Sequence, residues 1–463
     1  MSPAQAASSP KPGRPHAAVD TAASLVLVGL GAALAATALF FVLQRDSYLA
    51  GATRVFCFVA LPAALALAAF AAAPSARRRP LALIALLFTA AIYTGELALS
   101  AGNWRAWNQV LERSDPRSKV AVLEELRAAG HDAWPAVFPA SLAGSLRSGS
   151  AAEELRSIFP LGGVPEVDSV YCGEGRAFVV YRSDRFGFFN PETAFAARPR
   201  VLLLGDSYVQ GHCVGADEQI AARLRRQFPG ALNFAMNGNG PLAELATLRE
   251  YGPLLRPEFV VWGFFAGNDF QNLESEKQTP ELSAYLDPAH RQGLAERRDA
   301  VDAALRAHVA NEKPRASRAP LAQNQGLRAT LGDKLLPILS LHNLLPFLGL
   351  PYGRIDFDYA LFREILESAR DEVASWDGEL LFAYLPLTSD FYGLNRYRSG
   401  DGIVRQRTLA IARELGLRSI DLHPAIAALP DPMAVSSTPR THYDALGYEL
   451  AAREIAATLS DPR

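Results

Sequence analysis

The chain has 463 residues, which is too long for a small disulfide-stapled scaffold and enough for two or three units with sizeable cores. Lys+Arg 46 against Asp+Glu 48 leaves a formal net charge of -2, so no global basic field exists for nucleic acid or an anionic membrane surface. Hydrophobic content of 49% and a mean hydropathy of +0.05 are high for a soluble chain, and part of the apolar sequence is expected in lipid.

The apolar excess lies near the N-terminus, behind a tail of residues 1–20. Thr21 to Gln44 carry no charge, and these 24 residues as a helix span about 36 Å, more than the roughly 30 Å core of a bilayer. A second uncharged run, Val55 to Ala76, is bounded by Arg54 and Arg77, and a third starts at Pro80 and stays apolar to Gly95. None shows a polar stripe at helical period, so three transmembrane helices are expected over residues 21–102 rather than three buried core helices. The first run exceeds the roughly 7–15 apolar residues of a signal core and lacks a small-x-small site before Gln44, so it reads as a retained anchor. Glu96 interrupts the third run near its outer end, as an interfacial carboxylate or a functional intramembrane acid. Lys11 and Arg14 before the first helix, and Arg77, Arg78 and Arg79 before the third, mark the cytoplasmic side. Three crossings then place the chain after about Asn103 in the periplasm or at the cell exterior.

Residues 103–197 read as an exported helical linker with a strand-containing end. Val120, Val122, Leu123 and Leu126 have helical spacing, Pro135 and Pro139 break it, and Val170 to Tyr181 shifts toward strand-like residues. A new unit, residues 198–463, starts with the apolar run ending at Gly205, a fully buried parallel strand, followed by a helix from about Asp217 to Gln227. Leu232 to Ala235, Phe259 to Phe265, Glu379 to Leu385 and Arg418 to Leu422 supply four more strands between helical stretches, the pattern of a doubly wound α/β sheet. Residues 273–358 interrupt it as an insertion that serves as a lid or partner surface, or packs against the membrane helices.

Four short blocks carry the chemistry. Gly205-Asp206-Ser207 follows a strand, where a sharp turn presents a hydroxyl above the carboxyl edge of the sheet. Val209 occupies the last glycine position of a Gly-x-Ser-x-Gly elbow, so the pattern is not that of the α/β hydrolases. Asn233 to Pro241 follows the next strand and places Gly238 where a backbone N–H can approach a reacting oxygen. Gly267-Asn268-Asp269 ends the third strand and offers an amide donor, and His442 precedes the final helix as a candidate base. Taken singly, each block has an ordinary reading: a helix cap, a tight turn, an Asn-Asp turn and a structural histidine.

In this order, each at a strand end or before the last helix, the blocks resemble the SGNH hydrolase superfamily, or GDSL esterases, over roughly Arg198 to Asp461. The resemblance implies a three-layer α/β/α domain with Ser207 as nucleophile and His442 as base. Gly238 and Asn268 would then join the Ser207 N–H as oxyanion donors. The family usually has Asp three residues before its histidine, but Pro439 stands there, and Arg440 and Thr441 do not replace it. Asp431 is one candidate to orient the imidazole, and a backbone carbonyl in a Ser-His dyad is the other.

The flanking helices look like a bacterial membrane-anchored subgroup associated with cell-surface polysaccharides, which implies the inner membrane with the catalytic domain outside. The expected function is a serine esterase or O-acyltransferase acting on acyl esters of a surface polysaccharide. The competing expectation is a non-catalytic polysaccharide-binding or assembly subunit with the same fold, and lipid hydrolysis would need an apolar groove such as Leu335 to Leu350. Cys172 and Cys213 fall in the exported part and are expected to form a disulfide beside Ser207, with two free thiols as the alternative, while Cys57 lies in the second membrane helix. His212, His290 and His342 lack metal-site spacing, and no phosphate or dinucleotide loop occurs, so neither metal nor cofactor is expected.

Overall fold

The computed structural model describes residues 14–43, 60–311, 337–339, 341–349, 357–394, 402–436 and 442–461. Cys57, the turn near Pro320 and Pro439 to Thr441 lie outside the described residues. The chain divides into two compact units, residues 1–101 with 329–356 and residues 102–328 with 357–463.

In the first unit, uninterrupted helix-forming apolar sequence produces α1 (Arg14–Leu43), α2 (Leu61–Ala71) and α3 (Ser75–Arg113). Two of these, α1 and α3, are long and apolar enough to cross a membrane, against the three expected. At 11 residues α2 is too short to span, and the start of its apolar run lies outside the described residues. The third helix begins at Ser75, so Arg77 to Arg79 sit in its first turns rather than in an open connection. Arg79 Nε and Nη2 donate to the Asp20 carboxylate at 2.6 and 2.9 Å, which ties the start of α3 to the first turns of α1. A Cβ on Gly31 would come 3.0 Å from the Ala64 carbonyl oxygen, so glycine permits α1 to approach α2 closely. Leu83, Ile84, Leu86, Leu87 and Phe88 of α3 are exposed.

Glu96 is fully buried. Its carboxylate accepts the Asn343 and Leu344 N–H groups at 3.1 and 2.7 Å and the Asn343 side-chain amide at 2.7 Å, supplying acceptors to the short turn Leu344–Phe347. Residues 337–339 and 341–349 of the expected insertion therefore belong to the helical unit, whereas residues 273–311 pack in the other one.

The second unit is α/β. A small sheet has β1 (Ala133–Pro135) parallel to β2 (Asp168–Val170), which is antiparallel to β3 (Val180–Arg182). The main sheet contains β4 (Val201–Leu204), β5 (Ala231–Asn233), β6 (Phe259–Phe265), β7 (Glu379–Leu385) and β8 (Arg418–Asp421), all parallel, in the order β5-β4-β6-β7-β8. Strands buried on both faces carry apolar residues at every position, and the period of two divides them between two cores. Leu202, Leu204, Val260, Trp262 and Phe382 face α4 (Pro241–Leu255) and a helix at Tyr359–Ala374, through Leu245, Leu248, Phe362 and Ile365. Val201, Leu203, Val261, Leu381 and Ile420 pack on the opposite face against Ile220, Leu224, Ala451 and Ile455. Three layers result.

Residues 103–197 are part of this unit rather than a separate linker. The reason is packing: Leu155, Phe159 and Phe188 enter the first core, with Phe188 stacked on Phe234 at 4.2 Å. Buried Asp184 accepts the N–H groups of Phe186 and Phe188 and the Asn190 amide, and Asn190 in turn bonds Asn233 at both its N–H and its carbonyl.

Candidate active site

In an open parallel sheet, ligands bind beyond the carboxyl ends of the strands where the strand order reverses, and here β4 has β5 on one side and β6 on the other. Ser207 follows β4, Gly238 follows β5 and Asn268 follows β6, so all three loops meet that edge.

Gly205 has φ +154, and a Cβ there would meet Val209 Cγ2 at 2.4 Å, so the turn that lifts Ser207 requires glycine. Asp206 caps the short helix Ser207–Gln210, accepting the Tyr208 N–H at 2.8 Å. Gly205→Ala is expected to cost about 2 kcal/mol of stability and to lower turnover at least tenfold. Thermal unfolding and ester assays of the same preparation check both.

His442 Nε2 lies 2.8 Å from Ser207 Oγ, although 235 residues separate them. Action as a base requires the tautomer in which Nε2 carries the lone pair and accepts from the Ser207 hydroxyl, with the proton on Nδ1. The chain is fixed just after the imidazole. Buried Tyr443 donates its hydroxyl to the Pro386 carbonyl at 2.7 Å, and Asp444 caps α5 (Ala445–Ser460) through the Leu446 N–H at 3.0 Å. Tyr208 packs on Phe265 at 3.5 Å and lies 4.6 Å from the His442 ring. Burial, with the His212 ring as a second cause, pushes the His442 imidazole down to about 2, which holds it in the neutral form a general base needs.

Gly238 has φ +80 and sits in the turn that Gln210 organises, because Gln210 Oε1 accepts the Asn237 N–H at 2.9 Å. Asn268 precedes the helix Asp269–Glu276, and its side chain is among the groups that oppose the effect of burial on Asp206. Asp431 caps the turn Pro432–Val435, its Oδ1 accepting the Met433 N–H at 3.0 Å. Among the described residues, no carboxylate hydrogen-bonds His442.

Glu174 and Tyr171 had no place in the sequence reading, and His212 entered it only as a histidine without metal-site spacing. His212 stacks on His442 at 3.8 Å with 21° between the rings, and bonds Glu174 Oε2 at 3.3 Å and the Tyr171 hydroxyl at 3.2 Å. Cys172 and Cys213 form a disulfide that joins the loop holding Glu174 to the loop holding His212. Intact mass after alkylation without reductant should show neither cysteine modified, and the Cys213→Ser variant should expose Cys172. Glu174, His212 and His442 have side-chain ligand atoms within 4.8 Å of one another. The near-parallel rings direct their nitrogen lone pairs side by side, however, and not toward one ion.

Behind the nucleophile, burial dominates the carboxyl groups. Asp206 is raised to about 6 and Glu276 to about 7, although Glu276 accepts the Gly240 and Leu242 N–H groups. Burial and neighbouring carboxyls raise Glu244 and Asp269 well above the ordinary range. Asp184 and Asp390, elsewhere in the unit, are raised to about 7 by burial. A carboxyl raised by folding stabilises the native state while protonated, and that contribution is lost as pH rises through 6 to 7. His442 and His423, depressed mainly by burial, act in the opposite direction below pH 6.5 but are outnumbered. The melting temperature is therefore expected to be higher at about pH 5 than at about pH 8, measurable by near-ultraviolet circular dichroism in detergent.

Comparison with solved structures finds distant similarity to proteins described as acylhydrolases. A lipase/acylhydrolase from Enterococcus faecalis is 16% identical, with a TM-score of 0.31, 56% of this chain covered and 95% of that one. TesA is 11% identical, with a TM-score of 0.32, 56% of this chain covered and 98% of that one. What the structure shows directly is a three-layer α/β unit on a five-stranded parallel sheet. No protein-family model matches the chain, and no curated protein matches it.

Proposed function

We propose that the chain is a membrane-tethered serine esterase or O-acyltransferase, with its α/β unit outside the bacterial inner membrane and acyl esters of an exported polysaccharide as substrates. The observation that carries the reading is the 2.8 Å contact from Ser207 Oγ to a neutral, buried His442 at the sheet's switch point. Ser207 attacks the acyl carbonyl while its proton passes to His442. Gly238, Asn268 and the Ser207 N–H are the donors assigned to the oxyanion, and His442 returns the proton to the leaving alkoxide. Water or a sugar hydroxyl then releases the acyl group. The tether rests on two helices of spanning length and on the exposed apolar face of α3, which is costly in water and suited to lipid. The Asp20–Arg79 pair supports a common side for the starts of α1 and α3, the side that Arg77 to Arg79 mark as cytoplasmic.

The test uses the full chain in detergent with nitrophenyl esters of increasing acyl length and an O-acetylated oligosaccharide. Turnover of short acyl groups above the Ser207→Ala background is the expected result, with added sugar diverting acyl groups from water if transfer is the reaction. Absence of turnover above that background for every ester would favour a binding subunit instead.

A further inference from the structure

The usual counter-charge of a triad histidine is missing from its place: Pro439 stands three residues before His442, and Asp431 is committed to a backbone cap. During acylation His442 must nevertheless carry a positive charge inside a site whose burial disfavours it. We propose that Glu174, carried on the loop after β2, supplies the negative charge that stabilises the His442 cation, with the His212 ring holding the two in register. This inference rests on the serine-esterase reading and names a positioning residue within it.

Three independent observations converge on Glu174. Its carboxylate lies within 4.8 Å of a His442 ring nitrogen. Its backbone is fixed, because the Glu174 N–H donates to Cys213 Sγ at 3.3 Å and the adjacent Cys172 is disulfide-bonded to Cys213. Its side chain is aimed by His212, whose other ring nitrogen is held by Tyr171, and the Tyr171 hydroxyl in turn donates to Gln210 Oε1. The same Gln210 oxygen accepts Asn237 N–H, so one chain of hydrogen bonds links Glu174 to the turn that bears Gly238. His212 lies face to face with His442 and lowers it, so a proton on His212 opposes one on His442. The groups that face His442 are thus Ser207 and Asp206 from the nucleophile turn, Tyr208 and His212 from the same segment, and Glu174 from the loop after β2.

The proton balance leaves Glu174 ionised throughout. The Ser207 Oγ–carbonyl carbon bond forms, the Oγ proton passes to His442 Nε2, and the carbonyl π pair moves to oxygen. The ester C–O bond then breaks as that pair returns, and the His442 proton leaves with the alkoxide. Glu174 gains and loses nothing, and lowers the energy of the states in which His442 is charged.

The experiment compares Glu174→Gln, Glu174→Asp and unmodified full chain in detergent, each also in a His442→Ala background. Both ester turnover and the rate of phosphonylation of Ser207 by a fluorophosphonate are read. Glu174→Gln is expected to lower kcat and the phosphonylation rate by about 10²-fold, with KM changed less than about threefold and Glu174→Asp recovering part of the loss. In the His442→Ala background the same change should cost less than about twofold, because Glu174 acts through the imidazole. An intact Cys172–Cys213 bond, verified by mass after alkylation, excludes a collapsed loop. Activity of Glu174→Gln within twofold of the unmodified chain, or an equal loss in both backgrounds, would overturn the proposal while leaving the esterase reading in place. An unmodified chain in which Ser207 does not react would remove that reading, and this inference with it.

Discussion

Ser207→Ala is expected to reduce ester turnover by about 10⁴-fold or more while leaving the melting temperature within about 2 °C. The size follows from the kind of interaction removed: the serine oxygen forms a bond to the acyl carbon, and no neighbour can replace it. Asp206, the adjacent oxygen nucleophile, is buried and spends one carboxylate oxygen on the Tyr208 N–H. The small structural effect follows from the hydroxyl's contacts, which are to His442 at 2.8 Å and Asp206 at 3.3 Å and which no secondary-structure element needs. Initial rates with a short-chain nitrophenyl ester and a thermal melt of the same sample measure the two effects. A residual activity above about one-hundredth would assign the hydrolysis to another group.

His442→Ala is expected to lower kcat by about 10³-fold or more, with substrate affinity little changed, since the imidazole acts on a proton and not on the acyl group. Because Tyr443 and Asp444 fix the loop through their own bonds, the alanine variant should keep its α5 cap and fold normally. The cavity left beside Ser207 is walled by the Tyr208 and His212 rings, which suit a planar heterocycle. Added imidazole is therefore expected to restore part of the turnover in His442→Ala and none in Ser207→Ala. Rescue of both variants, or an unchanged kcat in the first, would contradict the assignment of His442 as base.

The main sheet was legible because its strands are buried on both faces. Val201 to Leu204 and Phe259 to Phe265 are continuous apolar runs bounded by turn residues, and they occupy the sheet as expected. The positions of Ser207 and His442 were legible for a different reason: each stands at a strand end or helix start, where local chemistry shows in short motifs. The small sheet was not, since β1, β2 and β3 have three residues each and their pairing is set by contacts distant in sequence. Residues 103–197 look like a linker because their apolar positions are dispersed, yet Phe159 and Phe188 complete a core whose other wall begins after residue 200.

Glu96 shows what a charge in an apolar run leaves open. The sequence carries no sign of its partners, because the Asn343 and Leu344 N–H groups that solvate it come from about 247 residues away in the chain. Glu174 and His212 carried one usable signal. A bond between Cys172 and Cys213 places the residue two beyond one cysteine next to the residue just before the other. The expected pairing of the cysteines thus held a signal for Glu174 and His212 that the sequence reading did not draw, since neither has a motif of its own.

The measurement that bears most directly on the whole account is intact-mass analysis of the full chain in detergent after exposure to a fluorophosphonate, beside Ser207→Ala and a heat-unfolded sample. One phosphonyl adduct on the folded chain, mapped to Ser207 and absent from both controls, is the predicted result, because only an activated serine reacts. A folded chain that remains unmodified, or an adduct that persists in Ser207→Ala, would contradict an acyl-serine mechanism at this site.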